Sequence, residues 1–275
     1  MISASRMRKA QERALAARPY AQKTWELLRH LARASAGEAL HPLLTVRPVQ
    51  RLALVLIASD RGLCGSYNNN VIRHGLDYAR RTQASITYVT VGRKAGEAVL
   101  RAGGELLAAF EGIPTELTIA FASPIAHVIE DAFLGGDIDA ASIAYTRFVN
   151  VGVQTPSIRR ILPVAPGALQ ALEGEEGMLS EPGVARLEYL YEPSAAAILD
   201  ALLPHSLEVE IFGCLLESVA SEHSARMVAM QKATDNAEEM VEELTRTYNR
   251  ARQASITNEI LDISGTTEAL RAAEA

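Results

Sequence analysis

The C-terminal part of the chain holds one uninterrupted helical sequence, and this feature restricts the possible folds most. Between His205 and Leu270 there is no proline, and only Gly213 and Gly265 interrupt strong helix formers. At about 1.5 Å per residue, a single helix over this span would be about 100 Å long. A globular domain of ordinary size is too small to cover such a helix, so it must pack on another extended partner.

Small and apolar side chains recur every three or four residues along this segment, which is typical of a helix that packs against another helix. The stripe consists of Ala225, Ala229, Ala233, Ala237, Met240, Leu244, Tyr248 and Ala251. The first forty residues show a similar spacing at Ala10, Ala14, Ala17, Ala21, Leu28 and Leu31. Pro19 removes one hydrogen bond there and predicts a local kink. We therefore expect the two ends to form an antiparallel coiled coil.

The middle of the chain has a different pattern, in which short β-branched runs alternate with helical segments. The predicted strands are residues 51–58, 85–91, 117–121 and 141–149, and the predicted helices are residues 71–83, 94–102 and 124–134. Such alternation favours a mostly parallel, Rossmann-like sheet with crossover helices.

Two further segments complete the prediction for the middle. Residues 141–164 are expected to form an edge hairpin, and residues 166–183 a loop. The expected fold is therefore α/β, a long antiparallel coiled coil of N- and C-terminal helices with an inserted Rossmann-like α/β domain. We place the N-terminal helix at 1–46, the Rossmann-like domain at 47–203 and the C-terminal helix at 204–275.

Composition excludes several classes of function. Hydrophobic residues make up 48% of the chain, charged residues 22%, and the net charge is −6, so nothing indicates a basic nucleic-acid binder. No apolar run approaches the roughly 20 residues needed to cross a bilayer. Cys64 and Cys214 form no CxxC pair, which favours a reducing compartment. The Arg-rich N-terminus is interpreted as a basic amphipathic helix of the mature protein, and a transit peptide is the alternative interpretation.

The segment "SDRGLCGSYNNN" (59–70) lies between a predicted strand and a predicted helix, as many active sites do. It has no lysine for a Walker-type phosphate loop and only a GxxG spacing, short of a dinucleotide motif. A nucleophilic Cys64 would need a histidine base, and only His74 is near in sequence, where an exposed helix position is expected. Two interpretations of this segment therefore stay open: a loop that contacts a partner, and a glycine turn with a buried cysteine.

Three stretches resemble the gamma subunit of the F-type, proton-translocating ATP synthase. They are "SDRGLCGSYN" (59–68), "SEHSARMVAMQKATDNA" (221–237) and "YNRARQASITNEILDISG" (248–265). "RMRKAQERALAARPYA" (6–21) and "YLYEP" (189–193) extend the resemblance over essentially the whole chain. The family plan, two terminal helices in an antiparallel coil around a Rossmann-like domain, agrees with the expectation from the residues.

The resemblance implies a rotor shaft, the central stalk that couples proton-driven rotation of the c ring to conformational cycling of the beta subunits. The shaft would stand in a ring of three alpha and three beta subunits and be fixed to the epsilon subunit and the c-subunit ring. Nucleotide sites lie on the partners, so the chain would not be catalytic alone and would need no cofactor. Its expected place is peripheral, on the cytoplasmic face of a bacterial inner membrane, with membrane association only through the c ring.

The resemblance also implies three contact sites. The loop residues would touch the acidic C-terminal lever of the beta subunit: Asp60, Arg61, Gly62, Leu63, Cys64 and Gly65. Arg252 and Gln253 would bond to the catch loops of the alpha/beta ring. Without the resemblance, a solvated helix face is the favoured interpretation of these two positions. Tyr189, Tyr191 and Glu192 would form a foot toward the c ring and epsilon, with an ordinary strand as the alternative.

Two departures from the family and two rival functions accompany this prediction. Family members carry further residues before the position of Met1, so helix turns are expected to be missing there, and "SGTT" (264–267) replaces a glycine-rich ending. One rival is a Rossmann-like enzyme that uses Cys64, which predicts a deep pocket behind the loop. The other is a coiled-coil adaptor unrelated to ATP synthesis.

Overall fold

The computed structural model of this chain describes most of its middle and C-terminal parts. The described residues are 7–12, 19, 23–24, 27–28, 31, 41–164, 192 and 194–274, without the side chains of residues 195–196 and 268–274. The chain divides into two compact units, residues 1–228 and residues 229–275. The predicted loop at 166–183 lies outside the described residues.

A five-stranded sheet forms the centre of the first unit. Its strands are β1 (Arg51–Ile57), β2 (Ser85–Val91), β3 (Glu105–Phe110), β4 (Ala140–Phe148) and β5 (Gln154–Leu162). They lie in the order β3-β2-β1-β4-β5. The first four are parallel, and β5 pairs antiparallel with β4. The mixed sheet confirms the α/β class and the hairpin predicted at the sheet edge.

Helices connect the parallel strands, as a crossover topology requires. They are α1 (Tyr67–Arg81), α2 (Arg93–Arg101) and α3 (Ile119–Leu134), and they are followed by the long α4 (Ala195–Glu274) of 80 residues. A short 3-10 turn at Pro42–Leu44 precedes β1.

Both faces of the sheet are buried, and β1 shows this most clearly. Ala53, Val55 and Ile57 belong to one hydrophobic cluster, while Leu54 and Leu56 belong to another. Successive side chains of a strand point to opposite faces, so the alternation places a core on each side of the sheet. Burial on both faces explains why the β1 sequence is a continuous apolar run.

The strand predicted at 117–121 is wrong, because α3 begins there with Thr118 at its N-cap position. The buried residues of α3 recur at helical spacing: Ala122, Ile125, Ala126, Ile129, Ala132 and Phe133. Burying this stripe outweighs the strand preference of the threonine and isoleucine at its start. Pro124 lies inside the helix and does not begin it.

The strand β3 was not predicted. Its sequence, "ELLAAF", has no β-branched residue, so local preference does not indicate a strand. Its side chains alternate between exposed and half-buried positions along the edge of the sheet. Pairing with β2 therefore determines the conformation of this segment, which its own composition leaves undecided.

The long helix starts ten residues before the expected His205, and Pro204 lies inside it. Within the first unit its buried side chains recur every four residues, at Leu199, Leu203, Leu207, Ile211 and Leu215. This packing on both sides of the proline outweighs the lost backbone hydrogen bond. Leu28 and Leu31 of the N-terminal segment belong to the same hydrophobic cluster.

The second unit consists of α4 alone, and every described side chain from residue 231 to residue 267 is exposed. Seven of its described large apolar residues are more than 60% exposed: Met240, Val241, Leu244, Tyr248, Ile260, Leu261 and Ile263. A helix of 46 residues, from 229 to 274, is about 69 Å long and buries no core of its own. This unit has the surface of a helix made to contact partners.

Candidate functional site

The loop 59–66 lies at the carboxyl end of β1, directly before α1. In parallel sheets this edge is where ligand and partner sites commonly form, because several connecting loops meet there. The connections after β2 and β3 also start at this edge. The geometry of the loop therefore distinguishes among the alternatives that its sequence leaves open.

Side chains inside the loop hold its backbone in shape. Asn68 accepts a hydrogen bond from the Ser59 backbone N–H at 3.0 Å, and its amide donates to Ser59 Oγ at 2.8 Å and to Cys64 Sγ at 3.2 Å. Ser59 is fully buried and Cys64 is 2% exposed. Cys64 is therefore a packed, hydrogen-bonded thiol whose side chain is closed to solvent.

Asp60 connects the loop to the start of α2 and to the segment that follows β3. Its carboxylate accepts hydrogen bonds from the backbone N–H groups of Arg93 at 3.0 Å, Gly112 at 3.3 Å and Ile113 at 2.7 Å. The first of these groups begins α2, where the helix dipole attracts negative charge. In nucleotide-binding folds a phosphate takes that position. Here a side chain of the protein occupies it.

The tip of the loop is exposed at three consecutive residues, Arg61, Gly62 and Leu63. Leu63 is 75% exposed and has a φ of 62°, a left-handed conformation that is uncommon for leucine. A Cβ added to Gly62 would meet no atom within 4 Å. Internal packing therefore does not explain this glycine, and the loop presents a cation and an apolar side chain to its surroundings.

The base of α4 supports this tip through Arg226. Its Nη2 donates to the carbonyl oxygens of Arg61 at 3.4 Å and Gly62 at 3.2 Å, and its Nη1 pairs with Glu222 Oε1 at 2.7 Å. Burial raises the pKa of Glu222 above its usual range, and Arg226 partly opposes the shift. The pair holds the loop against the helix inside the first unit.

A cleft of about 510 Å³ opens between the loop and α4. Its charged lining residues are balanced between arginines and carboxylates: Asp60, Arg61, Arg93, Glu111, Glu222 and Arg226. Hydrogen bonds of Cys64 within the described residues reach Ser59, Arg61 and Asn68, which supply no base for a thiol. The enzyme alternative therefore lacks an activated nucleophile at this loop.

No sequence pattern singled out Arg226 and Glu222, although both lie in the segment 221–237. The two residues are four positions apart, which is the ordinary spacing of an ion pair along a helix, and this spacing is the sequence pattern that could have indicated the pair. The bonds of Arg226 to the loop cross from one end of the domain sequence to the other, so no local pattern predicts them.

The other predicted contact residues are only partly described. Arg252 and Gln253 lie in the second unit on α4, and both are exposed. Glu192 is exposed, whereas Tyr189 and Tyr191 lie outside the described residues. His74 is exposed on α1, as expected.

Metal binding and membrane spanning would each require particular side chains or helices in the described part of the chain. Among those residues, no group of three or more His, Cys, Asp or Glu side chains is arranged to hold a metal ion. Within the same residues, no helix combines the length and the apolar character that spanning a membrane requires.

Comparison with protein families and curated proteins gives a consistent result. Residues 1–270 match the family described as ATP synthase. The chain is 44% identical over 271 residues to the ATP synthase gamma chain of Dehalococcoides mccartyi strain BAV1, covering 98% of this chain and 91% of that protein. It is 43% identical over 270 residues to the gamma chain of Pelotomaculum thermopropionicum, covering 98% and 90%.

Solved structures show the same fold. A chain from the central stalk and c ring of the Tetrahymena thermophila mitochondrial ATP synthase matches with a TM-score of 0.64 at 23% identity, covering 85% of this chain and 96% of that one. A chain from the Euglena gracilis mitochondrial ATP synthase matches with a TM-score of 0.64 at 20% identity, covering 100% and 95%.

Proposed function

This chain belongs to the gamma-chain family of ATP synthases, and on that premise we propose that it is a rotor shaft whose separate surfaces contact the foot, the levers and the catch loops of the motor. It is a central-stalk subunit and is not catalytic alone. One observation carries the proposal most directly. The second unit is a helix without a core of its own, whose apolar side chains are open to partners.

In this proposal the segment before the 3-10 turn at Pro42–Leu44 forms an antiparallel coiled coil with α4 (Ala195–Glu274), and a Rossmann-like domain is inserted between the two. The buried residues Leu28 and Leu31 support it, because they share a hydrophobic cluster with the base of α4. The exposed apolar stripe of the second unit supports it further, since a single helix with such a stripe gains stability only by packing.

The loop after β1 contacts the acidic C-terminal lever of a beta subunit in this proposal. Arg61 supplies positive charge, Leu63 an apolar contact, and Gly62 room for close approach. Asp60, Cys64 and Gly65 belong to the same contact segment and hold its shape, Asp60 through the backbone of α2 and Cys64 by its buried thiol.

Arg252 and Gln253 bond to the catch loops of the alpha/beta ring in the same proposal. An exposed guanidinium and an exposed amide on neighbouring helix positions offer several donors to carboxylate or carbonyl oxygens. Charge-assisted hydrogen bonds contribute about 1.5–3 kcal/mol each when shielded, which suits a latch that holds and then releases.

Tyr189, Tyr191 and Glu192 form the foot toward the c-subunit ring and the epsilon subunit. Through this foot, proton flow across the membrane turns the shaft, and the shaft drives the beta subunits through their conformations in turn. The chain then lies peripherally on the cytoplasmic face of a bacterial inner membrane. In sequence the segment directly precedes α4, which begins at Ala195.

Copurification tests the proposed assembly. A tagged full-length chain isolated from its host should bring alpha and beta subunits in equal amounts with each other, together with epsilon. An isolate without alpha and beta would reject the shaft and favour the adaptor alternative.

Reconstituted motors test the latch. Arg252→Ala with Gln253→Ala should lower the ATP hydrolysis rate and the torque several-fold, because the shielded bonds to the ring are lost. Asn258→Ala is the control, since this exposed side chain lies about 120° around the helix from Arg252 and about 140° from Gln253, on another face. Equal torque in the double variant and the control would remove the latch assignment.

A further inference from the structure

We propose that a polar seam fixes the base of α4 to the β4–β5 hairpin and carries torque between the globular body and the shaft. The inference rests on the proposed rotary function and adds the residues that resist slipping. We define the hairpin seam by its members on the two sides: Thr146, Val151, Gln154 and Arg159 on the hairpin, and Glu210, Ser218, Ser221 and Ser224 on α4.

An ion pair forms the lower end of the hairpin seam. Arg159 Nη1 lies 2.7 Å from Glu210 Oε1, and the two side chains are 33% and 10% exposed. The guanidinium also lies over the ring of Tyr145, 5.5 Å from its centre. The geometry of Arg159 is therefore set by two partners at once, one on the helix and one on the neighbouring strand.

Serine hydroxyls continue the seam up the helix. Ser221 Oγ donates to the carbonyl oxygen of Thr146 at 3.2 Å, and Ser224 Oγ donates to that of Val151 at 2.8 Å. The Thr146 N–H donates to Ser218 Oγ at 3.4 Å. Gln154 Nε2 donates to Ser224 Oγ at 3.4 Å. The three serines are at most 1% exposed.

These serines differ in their partners from the threonines farther along the helix. A helical hydroxyl ordinarily bonds back to the carbonyl four residues earlier. Thr234, Thr245 and Thr257 in the second unit do so. In the hairpin seam the hydroxyls instead take backbone partners from the hairpin, and the seam residues recur at helical spacing on one face of α4.

Hydrogen bonds depend on direction, so the hairpin seam fixes the rotation of α4 more sharply than apolar packing does. Hydrophobic attraction is non-directional, so the buried leucine stripe determines which face of α4 is covered but does not by itself select one exact rotation of the helix. Hydrogen bonds weaken steeply with misalignment. From Glu210 to Ser224 the helix rises about 21 Å, and rotation at any level would break bonds along that whole length. The seam therefore resists rotation of α4 relative to the hairpin when the globular body is turned.

The test measures coupling in the complete synthase in liposomes, as ATP-driven proton uptake per ATP hydrolysed against an opposing proton gradient. One variant combines Arg159→Met and Glu210→Met, which replaces the pair by apolar residues of similar volume. A second combines Ser221→Ala and Ser224→Ala. Arg160→Met is the matched control, because it removes the same charge from the exposed next position of β5.

Both seam variants should lose at least half of the coupling ratio while they keep assembled complex and ATP hydrolysis, and the control should keep the wild-type ratio. An unchanged ratio in both variants would overturn the inference. Loss of assembly in both would overturn it too, because the seam would then serve folding and not torque. Failure of the shaft proposal is distinct, since it shows as the absence of alpha and beta subunits from the wild-type isolate.

Discussion

The guanidinium of Arg226 donates a hydrogen bond to the carbonyl oxygen of Gly62 at 3.2 Å, across 164 positions of sequence. This bond joins the exposed tip of the loop after β1 to the base of the long helix. Glu222 holds the same guanidinium from the other side at 2.7 Å. A force on the tip is therefore transmitted to α4 through a charged group that is only 17% exposed.

Arg226→Ala should loosen the tip without unfolding the domain. Losing charge-assisted bonds to two carbonyl oxygens removes about 1–2 kcal/mol of local stability, which corresponds to about tenfold more frequent opening. Trypsin should then cleave after Arg61 about tenfold faster, as followed by mass spectrometry of that peptide bond. Arg246→Ala is the control, because its ion pair with Glu242 has the same spacing but is exposed. Equal cleavage in the two variants would contradict the role of Arg226.

Asp60→Ala should destabilise the globular unit. Three backbone N–H groups lose their carboxylate acceptor, one at the start of α2 and two in the segment after β3. We expect a loss of about 3 kcal/mol in the free energy of unfolding, measured by urea titration. Asp77→Ala removes a carboxylate from an exposed pair with Arg80 and should change stability by less than about 0.5 kcal/mol. Losses of similar size would reject the structural role of Asp60.

The sequence predicted best those parts of the fold in which local preference and tertiary packing agree. The apolar run of β1 was predicted correctly, and so was the terminal helix except for its first ten residues, because both patterns are long and unambiguous. β3 was missed, since its conformation depends on pairing with β2. The start of α3 was misjudged as a strand for a related reason, because its buried stripe becomes visible only beyond Pro124.

The location of the candidate site could be predicted from the sequence, whereas the contacts that its residues make with one another could not. The position of the loop at 59–66 follows from the pattern of a strand, glycines and a helix. The absence of a Walker-type lysine and of a dinucleotide glycine motif excluded two of its possible functions. Sequence did not show that Asp60 caps α2 or that Asn68 bonds to Cys64, because these contacts depend on the placement of several loops at one sheet edge. The hairpin seam was invisible for the same reason, since serines in a helix have no distinctive pattern.

Asp139 should make stability depend on pH in the acid range. The backbone N–H of Arg51, and then that of Gln50, lower the pKa of its carboxyl in the folded chain, and the distances are 2.8 Å and 3.0 Å. A depressed folded pKa stabilises the protein above the unfolded pKa of about 3.9, and this contribution is lost as pH falls through the folded value. Stability should therefore decline below about pH 4.

Asp139→Asn should reveal this contribution. The amide oxygen can still accept from both backbone N–H groups, which share Oδ2 in the wild type, but the charge is lost, so we expect about 1–2 kcal/mol less stability at pH 7. The difference from the wild type should shrink toward pH 3, measured by urea unfolding at both values. Asp131→Asn, at an exposed position of α3, is the control and should leave the pH profile unchanged. A difference that stays constant with pH would refute the assigned cause.

Gly92→Ala should disrupt the sheet edge more than any other single glycine change considered. Gly92 has a φ of 88°, and an added Cβ would lie 2.2 Å from the carbonyl oxygen of Ala58 at the end of β1. Its N–H also donates to the carbonyl oxygen of Phe110 at 2.7 Å, so the backbone cannot move aside without breaking that bond. Conformational strain of about 1–2 kcal/mol then adds to a backbone clash.

Gly112→Ala separates the two causes, because Gly112 has a φ of 73° but no atom within 4 Å of an added Cβ. It should lose only the strain of about 1–2 kcal/mol, whereas Gly92→Ala should lose at least about 2 kcal/mol more. Thermal unfolding of the two full-length variants measures the difference, and the Gly92 variant should melt several degrees lower. Equal melting temperatures would show that the turn at Gly92 can relax, and that α2 need not lie so close to the end of β1.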